Sequence, residues 1–305
     1  MPNGRLLLLD SASLYFRAFF GVPDSIKAPD GTVVNALRGM LDFVATLKTE
    51  FDPVAMVACW DDDWRPQWRV DLMDTYKTHR VGEDGAEGDT TEGLLGPQVP
   101  LIAEALALLG IPVIGAAHAE ADDIIGTLSS EWDGPVDVVT GDRDLFQLVD
   151  DARSVRVLYT SRGGVANPDL VDNAWMRERY GIEASQYVDF AVMRGDPSDG
   201  IPGVPGIGDK TAAVLLNEFH DLEGIIAAAD DPTSSIKPRV RQSIKDSADY
   251  ITAARSVVAV RRDACEISAW KLEVLTDDQQ SAFRAFADRW GITGAADRVL
   301  EALSS

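Results

Sequence analysis

Sulfur and imidazole are scarce in this chain: 2 cysteines and 3 histidines among 305 residues. Cys59 lies in an apolar run and Cys265 far from it, so they make neither a disulfide framework nor a zinc spacing and read as buried, inert thiols. His79, His118 and His220 are scattered and add no ligand cluster. Long apolar runs are missing too. The start, MPNGRLLLLDSAS, is too short in apolar length for a signal peptide, and no other stretch approaches a membrane span. A reducing cytoplasm, with no membrane partner, is the expectation. Positive charge is the third shortage: 28 Lys and Arg stand against 50 Asp and Glu, a net charge of −22, which on total charge alone speaks against nucleic acid. Charge acts over a Debye length of about 8 Å at physiological salt, so its distribution decides.

What is present is a core-forming pattern. With 46% hydrophobic residues, the chain can build one large domain or two unequal ones. β-Rich runs at Leu6 to Leu9, Val54 to Trp60, Val136 to Thr140 and Val155 to Tyr159 alternate with helical patterns, and Ile111 to Ile114 reads as a further strand. A helix behind Asn35 as N-cap and another over Leu101 to Leu109, closed by Gly110, fill two intervals. The alternation predicts an α/β fold, a mostly parallel central sheet with helices on both faces and ligands beyond the carboxyl ends of the strands. Residues 62 to 97 interrupt the pattern, first basic and aromatic, then acidic and glycine-rich, and after about residue 168 no strand is expected.

Acids gather where that fold would place a ligand. Asp10 and Asp61 each end an apolar run, and Asp142 and Asp144 follow a third in VVTGDRD. A single strand-end Asp is more often a turn or helix cap. Repeated at successive strand ends, these carboxylates would collect on one rim, where an oxygen-only ligand set suits Mg²⁺ or Mn²⁺. HAEADDIIG adds Glu120, Asp122 and Asp123, more negative charge than a helix dipole requires in one first turn, and GDPSDG adds Asp196 and Asp199. Crowded carboxylates need a compensating cation. Two or more hard divalent ions would supply it, and paired ions suit phosphodiester hydrolysis.

GIPGVPGIGDKTA places glycines and prolines so that backbone amides can face outward at a helix start, a geometry that grips a phosphate without reading a base. Lys210 in that first turn opposes the helix dipole, which a phosphate contact explains better than stability does.

Together, LLLLDSASLYFRAFF, VACWDDD, YKTHR, HAEADDIIG, VVTGDRDLFQLV and MRGDPSDGIPGVPGIGDKTA resemble, in order, the 5′ nucleases: flap endonucleases and the 5′-nuclease domain of bacterial DNA polymerase I. The resemblance covers most of the chain. It implies a nuclease core over 1–180 with a helical arch insertion at about 62–97, then a helical region over 181–305. A helix-turn-helix at about 200–218 would hold duplex DNA through Gly203, Val204, Gly206, Ile207, Gly208, Lys210 and Thr211, with K⁺ as a second cofactor type. It implies metal ligation, some through water, by Asp10, Asp61, Glu120, Asp122, Asp123, Asp142, Asp144, Asp196 and Asp199. Arg17, Lys77 and Arg80 would face the phosphate as catalytic cations at the foot of the arch.

The expected partners are flapped, branched or nicked DNA and RNA–DNA primer junctions, and the expected activity is 5′-3′ exonuclease and flap endonuclease, in primer removal and repair, by a monomer. The chain departs from the pattern where Gly200 stands after Asp199 in place of an Asn, where residues 81 to 99 lack Lys and Arg, and in having no room for a polymerase. Local charge answers the charge objection: Arg65, Arg69, Lys77 and Arg80 are expected at the arch, and Lys237, Arg239, Arg241, Lys245, Arg255, Arg261 and Arg262 form a late basic group. A silent branched-DNA scaffold and a single-strand ribonuclease of a related compact family are the competing readings.

Overall fold

The run LLLLD is the middle of the molecule because every side chain in it is buried, a pattern that only a parallel strand covered on both faces sustains. In the computed structural model, which describes residues 4–81, 92–266 and 271–304, it forms β1 (Leu6–Asp10). It is followed in chain order by β2 (Ala55–Cys59), β3 (Val113–Ile114), β4 (Val136–Thr140), β5 (Val155–Tyr159) and β6 (Asp169–Val171). The sheet runs β3-β2-β1-β4-β5-β6; the first five strands are parallel and β6 pairs antiparallel with β5. Residues 82–91 of the expected arch lie outside the described residues.

Alternation along β1 divides the core. Leu6 and Leu8 pack with Val57, Val138 and the helix Ala121–Glu131, whereas Leu7 and Leu9 pack with Met56, Ala58 and the helices Asn35–Phe51 and Val99–Leu108. The terminal helices Asp277–Trp290 and Thr293–Ser304 close the second layer through Phe283, Val299 and Leu303. Chain order reverses at β1, since β2 lies on one side and β4 on the other, which opens a crevice beyond their carboxyl ends.

Three expectations change. Asn35 is the first residue of its helix, not the N-cap; it is buried, and its amide donates to the carbonyls of Phe19 and Val22 while its oxygen accepts from Gln98. A tertiary network has claimed the side chain that a local rule assigned to capping. The strand β6 follows residue 168, a short edge pairing that too few residues encode to stand out from the loop around it. The expected strand Ile111 to Ile114 shortens to two residues, and the helix before it runs Val99–Leu108 with Gly110 left-handed behind it.

The helix Ala121–Glu131 is set against the sheet and the late chain at close range. A Cβ on Gly126 would stand 2.4 Å from the Arg261 carbonyl oxygen. Gly126→Ala gains about 1 kcal/mol of helix propensity, but forcing that backbone apart costs about 1–3 kcal/mol. A net loss of stability is expected in urea unfolding. A raised midpoint would mean that the two backbones separate without cost.

Candidate active site

The carboxyl ends of β1, β2 and β4 deliver acids to one cleft of ≈ 250 Å³, lined among others by Asp10, Asp61, Glu120, Asp122 and Asp142 and by Lys77 and Arg80. Asp10 ends β1 and caps the helix Ser11–Gly21: its Oδ1 accepts from Ser13 N at 3.1 Å and its Oδ2 from Thr140 Oγ1 at 2.6 Å. The same Thr140 hydroxyl accepts from Asp142 N at 2.8 Å, so one side chain of β4 ties both strand ends together. Asp61 accepts from Ala121 N at 2.7 Å, which fixes the start of the helix that carries Asp122.

The acids fall into two classes. Glu120, Asp123, Asp196 and Asp199 are each paired with protein cations. Arg69, only 2% exposed, reaches Glu120 Oε1 at 2.9 Å and grips Asp123 through two bonds of 2.9 and 2.7 Å. Tyr76 donates to Glu120 Oε1 at 2.7 Å, and Lys77 pairs with Glu120 Oε2. Asp123 also accepts from the backbone of Glu120 and Arg261, closing a reciprocal cap with Glu120. It is fully buried and does not line the cleft. Asp196 is held by Arg143 and Arg194, and Asp199 by Arg80 at 2.6 Å. By contrast Asp10, Asp61, Asp122, Asp142 and Asp144 have no Lys or Arg partner among the described residues.

Carboxyls of both classes are raised, Asp10, Asp61, Asp122 and Asp144 among the unpaired and Asp199 among the paired. Burial, then repulsion from Asp61 and Asp142, pushes Asp10 up to about 7 despite its hydrogen bond from Thr140. Burial and Asp142 hold both Asp122 and Asp144 well above the carboxylate range, and burial raises Asp61 and Asp199. Asp144 Oδ1 is buried with no hydrogen-bond partner. For Lys77, burial is outweighed by Glu120, so the ammonium stays charged.

The expected bases behave differently from one another. Arg17 comes within reach of Gly141, with its Nε buried and unbonded, and Lys77 and Arg80 line the cleft. Arg69 is not the DNA-facing arch cation that its sequence neighbours suggested: it is enclosed by two carboxylates and donates to the Val257 carbonyl. Sequence offered no signal for this, because its partners lie more than 50 positions away. Arg65 is likewise spent on the carbonyls of Tyr76 and Asp74. In the late basic group, Lys245 pairs with Asp230, Arg255 with Asp189 and Glu223, and Arg261 with Asp263. Lys237 and Arg239 carry no ion pair among the described residues, and Lys210 and Lys237 line one groove with Thr211.

That groove runs along the helix Asp209–Phe219, which a turn joins to the helix Tyr187–Arg194. Val204 and Ile207 anchor the turn in the core, Gly203 is buried, and Gly206, Gly208 and Lys210 are exposed. Gly206 has φ +82 with open space where a Cβ would be, so its backbone is accessible from outside.

The 5′-3′ exonuclease N-terminal resolvase-like domain matches residues 5–181, and the 5′-3′ exonuclease C-terminal SAM fold matches residues 182–280. The chain belongs to the 5′-3′ exonuclease family. A 5′-3′ exonuclease of Streptomyces coelicolor is 51% identical over 302 residues, 98% of this chain and 100% of the relative. Among solved structures, the T5 5′-exonuclease with bound zinc superposes with TM-score 0.65 at 18% identity, over 98% of this chain and 99% of that one. Flap endonuclease-1 from Methanococcus jannaschii superposes with TM-score 0.60 at 14% identity, over 99% and 93%. At these identities the structures establish the fold, a parallel-sheet nuclease core with a helical C-terminal region.

The unpaired acids make a pH prediction. Asp10 titrates near 7 when folded and near 3.8 when unfolded, so between these values the unfolded chain holds fewer protons and stability falls as pH rises. In EDTA, wild type should lose melting temperature relative to Asp10→Asn from about pH 4 to about pH 7 and hold the difference above that. A difference that does not change with pH would remove the buried charge from the account.

Proposed function

We propose that the chain is a divalent-metal-dependent, structure-specific 5′ nuclease that hydrolyses DNA phosphodiesters at 5′ flaps and 5′ ends during primer removal and repair inside the cell. The observation that carries the reading is the set of acids facing the cleft without a protein cation, beside Lys77 and Arg80. No group of three or more His, Cys, Asp or Glu among the described residues is already gathered into a metal-holding arrangement.

The donor set fits hard ions: every candidate ligand is an oxygen, and the orphaned Asp144 Oδ1 asks for a partner. Asp10, Asp61, Glu120, Asp122, Asp142 and Asp144 would hold two or more Mg²⁺ or Mn²⁺ ions, with Asp123, Asp196 and Asp199 acting through the cations and backbone that they orient. Such ions supply an activated water and neutralise the phosphate and the departing oxygen. The zinc in the T5 5′-exonuclease is consistent with this assignment.

The chain's own groups do the positioning. Thr140 aims the Asp10 carboxylate and the backbone after it; Arg69 and Tyr76 fix Glu120; Lys77, Arg80 and Arg17 bring positive charge to a phosphate entering the cleft. Residues 1–180 would form the cutting half. In 181–305, the backbone of 203–208 with Lys210 and Thr211 would hold the duplex, with K⁺ on its carbonyls.

Incubation with 5′-labelled flap, nicked, blunt and single-stranded DNA, in Mg²⁺, Mn²⁺ or EDTA, tests the reading. Flap and end cleavage that stops in EDTA is expected; binding of branched DNA without cutting would favour a scaffold, and cutting of single-stranded RNA alone a ribonuclease. Asp142→Asn and Asp144→Asn should abolish cleavage with duplex binding intact. Lys77→Ala and Arg80→Ala should each slow single-turnover cutting by about 10²-fold or more, with binding little changed. Rates within about twofold of wild type would remove these cations from the chemistry.

A further inference from the structure

The turn Asp196–Ile201 touches the foot of the arch along a seam that no catalytic contact requires. Asp196 and Ile201 exchange backbone hydrogen bonds, closing the turn on itself. From it the Asp199 carbonyl accepts from Lys77 N at 2.9 Å, the Gly200 carbonyl accepts from Thr75 Oγ1 at 2.7 Å, and the Ser198 carbonyl accepts from Arg80 at 2.7 Å. Three successive carbonyls of one turn therefore hold the segment that carries both cleft cations. On its other side the turn runs into the duplex-facing loop: Gly195 and Gly203 cross so closely that a Cβ on either would stand 2.7 Å from a backbone nitrogen of the other. The Tyr250 hydroxyl pins that crossing, accepting from Gly203 N and donating to the Val192 carbonyl.

Two backbone conformations mark the seam. Lys77 has φ +48, in the left-handed region that a long side chain rarely adopts. Its N–H bond to Asp199 holds it there, a strained conformation kept at a reacting site. Gly200 has φ +73, and a Cβ there would stand 2.0 Å from the Thr75 carbonyl oxygen. Glycine at 200 is thus what lets the two backbones meet.

We propose that the Gly200–Thr75 contact is a positioning element, which fixes Lys77 and Arg80 over the cleft from the loop that grips the duplex. This rests on the nuclease reading and adds to it a physical link between the half that holds DNA and the half that cuts.

Gly200→Asn isolates the contact, because Asn tolerates the left-handed region while its Cβ cannot fit against Thr75. Single-turnover rates on a 5′-flap duplex should fall by about 10²-fold, the cost of a misplaced charge. Duplex affinity, read in EDTA, should stay unchanged. A double-mutant cycle supplies the readout that a general structural defect would not move. In a Lys77→Ala, Arg80→Ala background, Gly200→Asn should cost no more than about threefold, since the loss acts through those two cations.

Fully additive losses would overturn the proposal, as would a duplex affinity that falls in step with the rate. If Gly200→Asn does not fold, Thr75→Val, which removes only the hydroxyl bond, carries the same cycle with the same expectations. A wild-type protein that cuts no flap with any divalent ion refutes the nuclease reading instead, so the two failures are distinguishable.

Discussion

Burial of neighbouring carboxyls, with the repulsion it adds between them, is the constraint around which the sheet edge is organised. Parallel strands converge at their carboxyl ends, and here three of them, with the start of the helix Ala121–Glu131, bring acids to one rim. The protein neutralises four of the acids itself: Arg69 on Glu120 and Asp123, Lys77 on Glu120, Arg80 on Asp199, and Arg143 and Arg194 on Asp196. It leaves Asp10, Asp61, Asp122, Asp142 and Asp144 without a Lys or Arg partner among the described residues. Raised carboxyls such as Asp10, Asp122 and Asp144 are the kind that gather at functional sites.

The paired acids are not idle. Asp123 joins three parts of the chain, since Arg69 comes from the foot of the arch, Glu120 from the helix start and the Arg261 amide from the late chain. Breaking a buried pair of this kind by removing one partner typically costs about 3–5 kcal/mol. The clamp therefore fixes the geometry on which the unpaired acids depend, with Asp123 and Arg69 behind the cleft and Glu120 on its wall.

Much of the fold was legible because its signals are local. The four longer strands were readable from apolar runs, and β4 and β5 have the expected limits. The rim followed from topology alone, once Asp10, Asp61 and Asp142 were seen at strand ends. Pairing across long sequence distances was not legible. Arg69 and Lys77 look alike in sequence as arch bases, yet one is enclosed by carboxylates and the other lines the cleft. Asp122 and Asp123 are neighbours in sequence, but a single helical step of roughly 100° puts one in the cleft and the other on Arg69. Gly200 was readable as a departure from the family pattern, but its consequence needed the Thr75 backbone beside it.

The most direct test of the central claim is anomalous scattering from crystals of this protein grown in Mn²⁺. The account predicts manganese peaks in the cleft bounded by Asp10, Asp122 and Asp142, two or more of them, with none on Asp123. A map with no peak in that cleft at high Mn²⁺ would contradict it, and the unpaired carboxylates would then need another explanation.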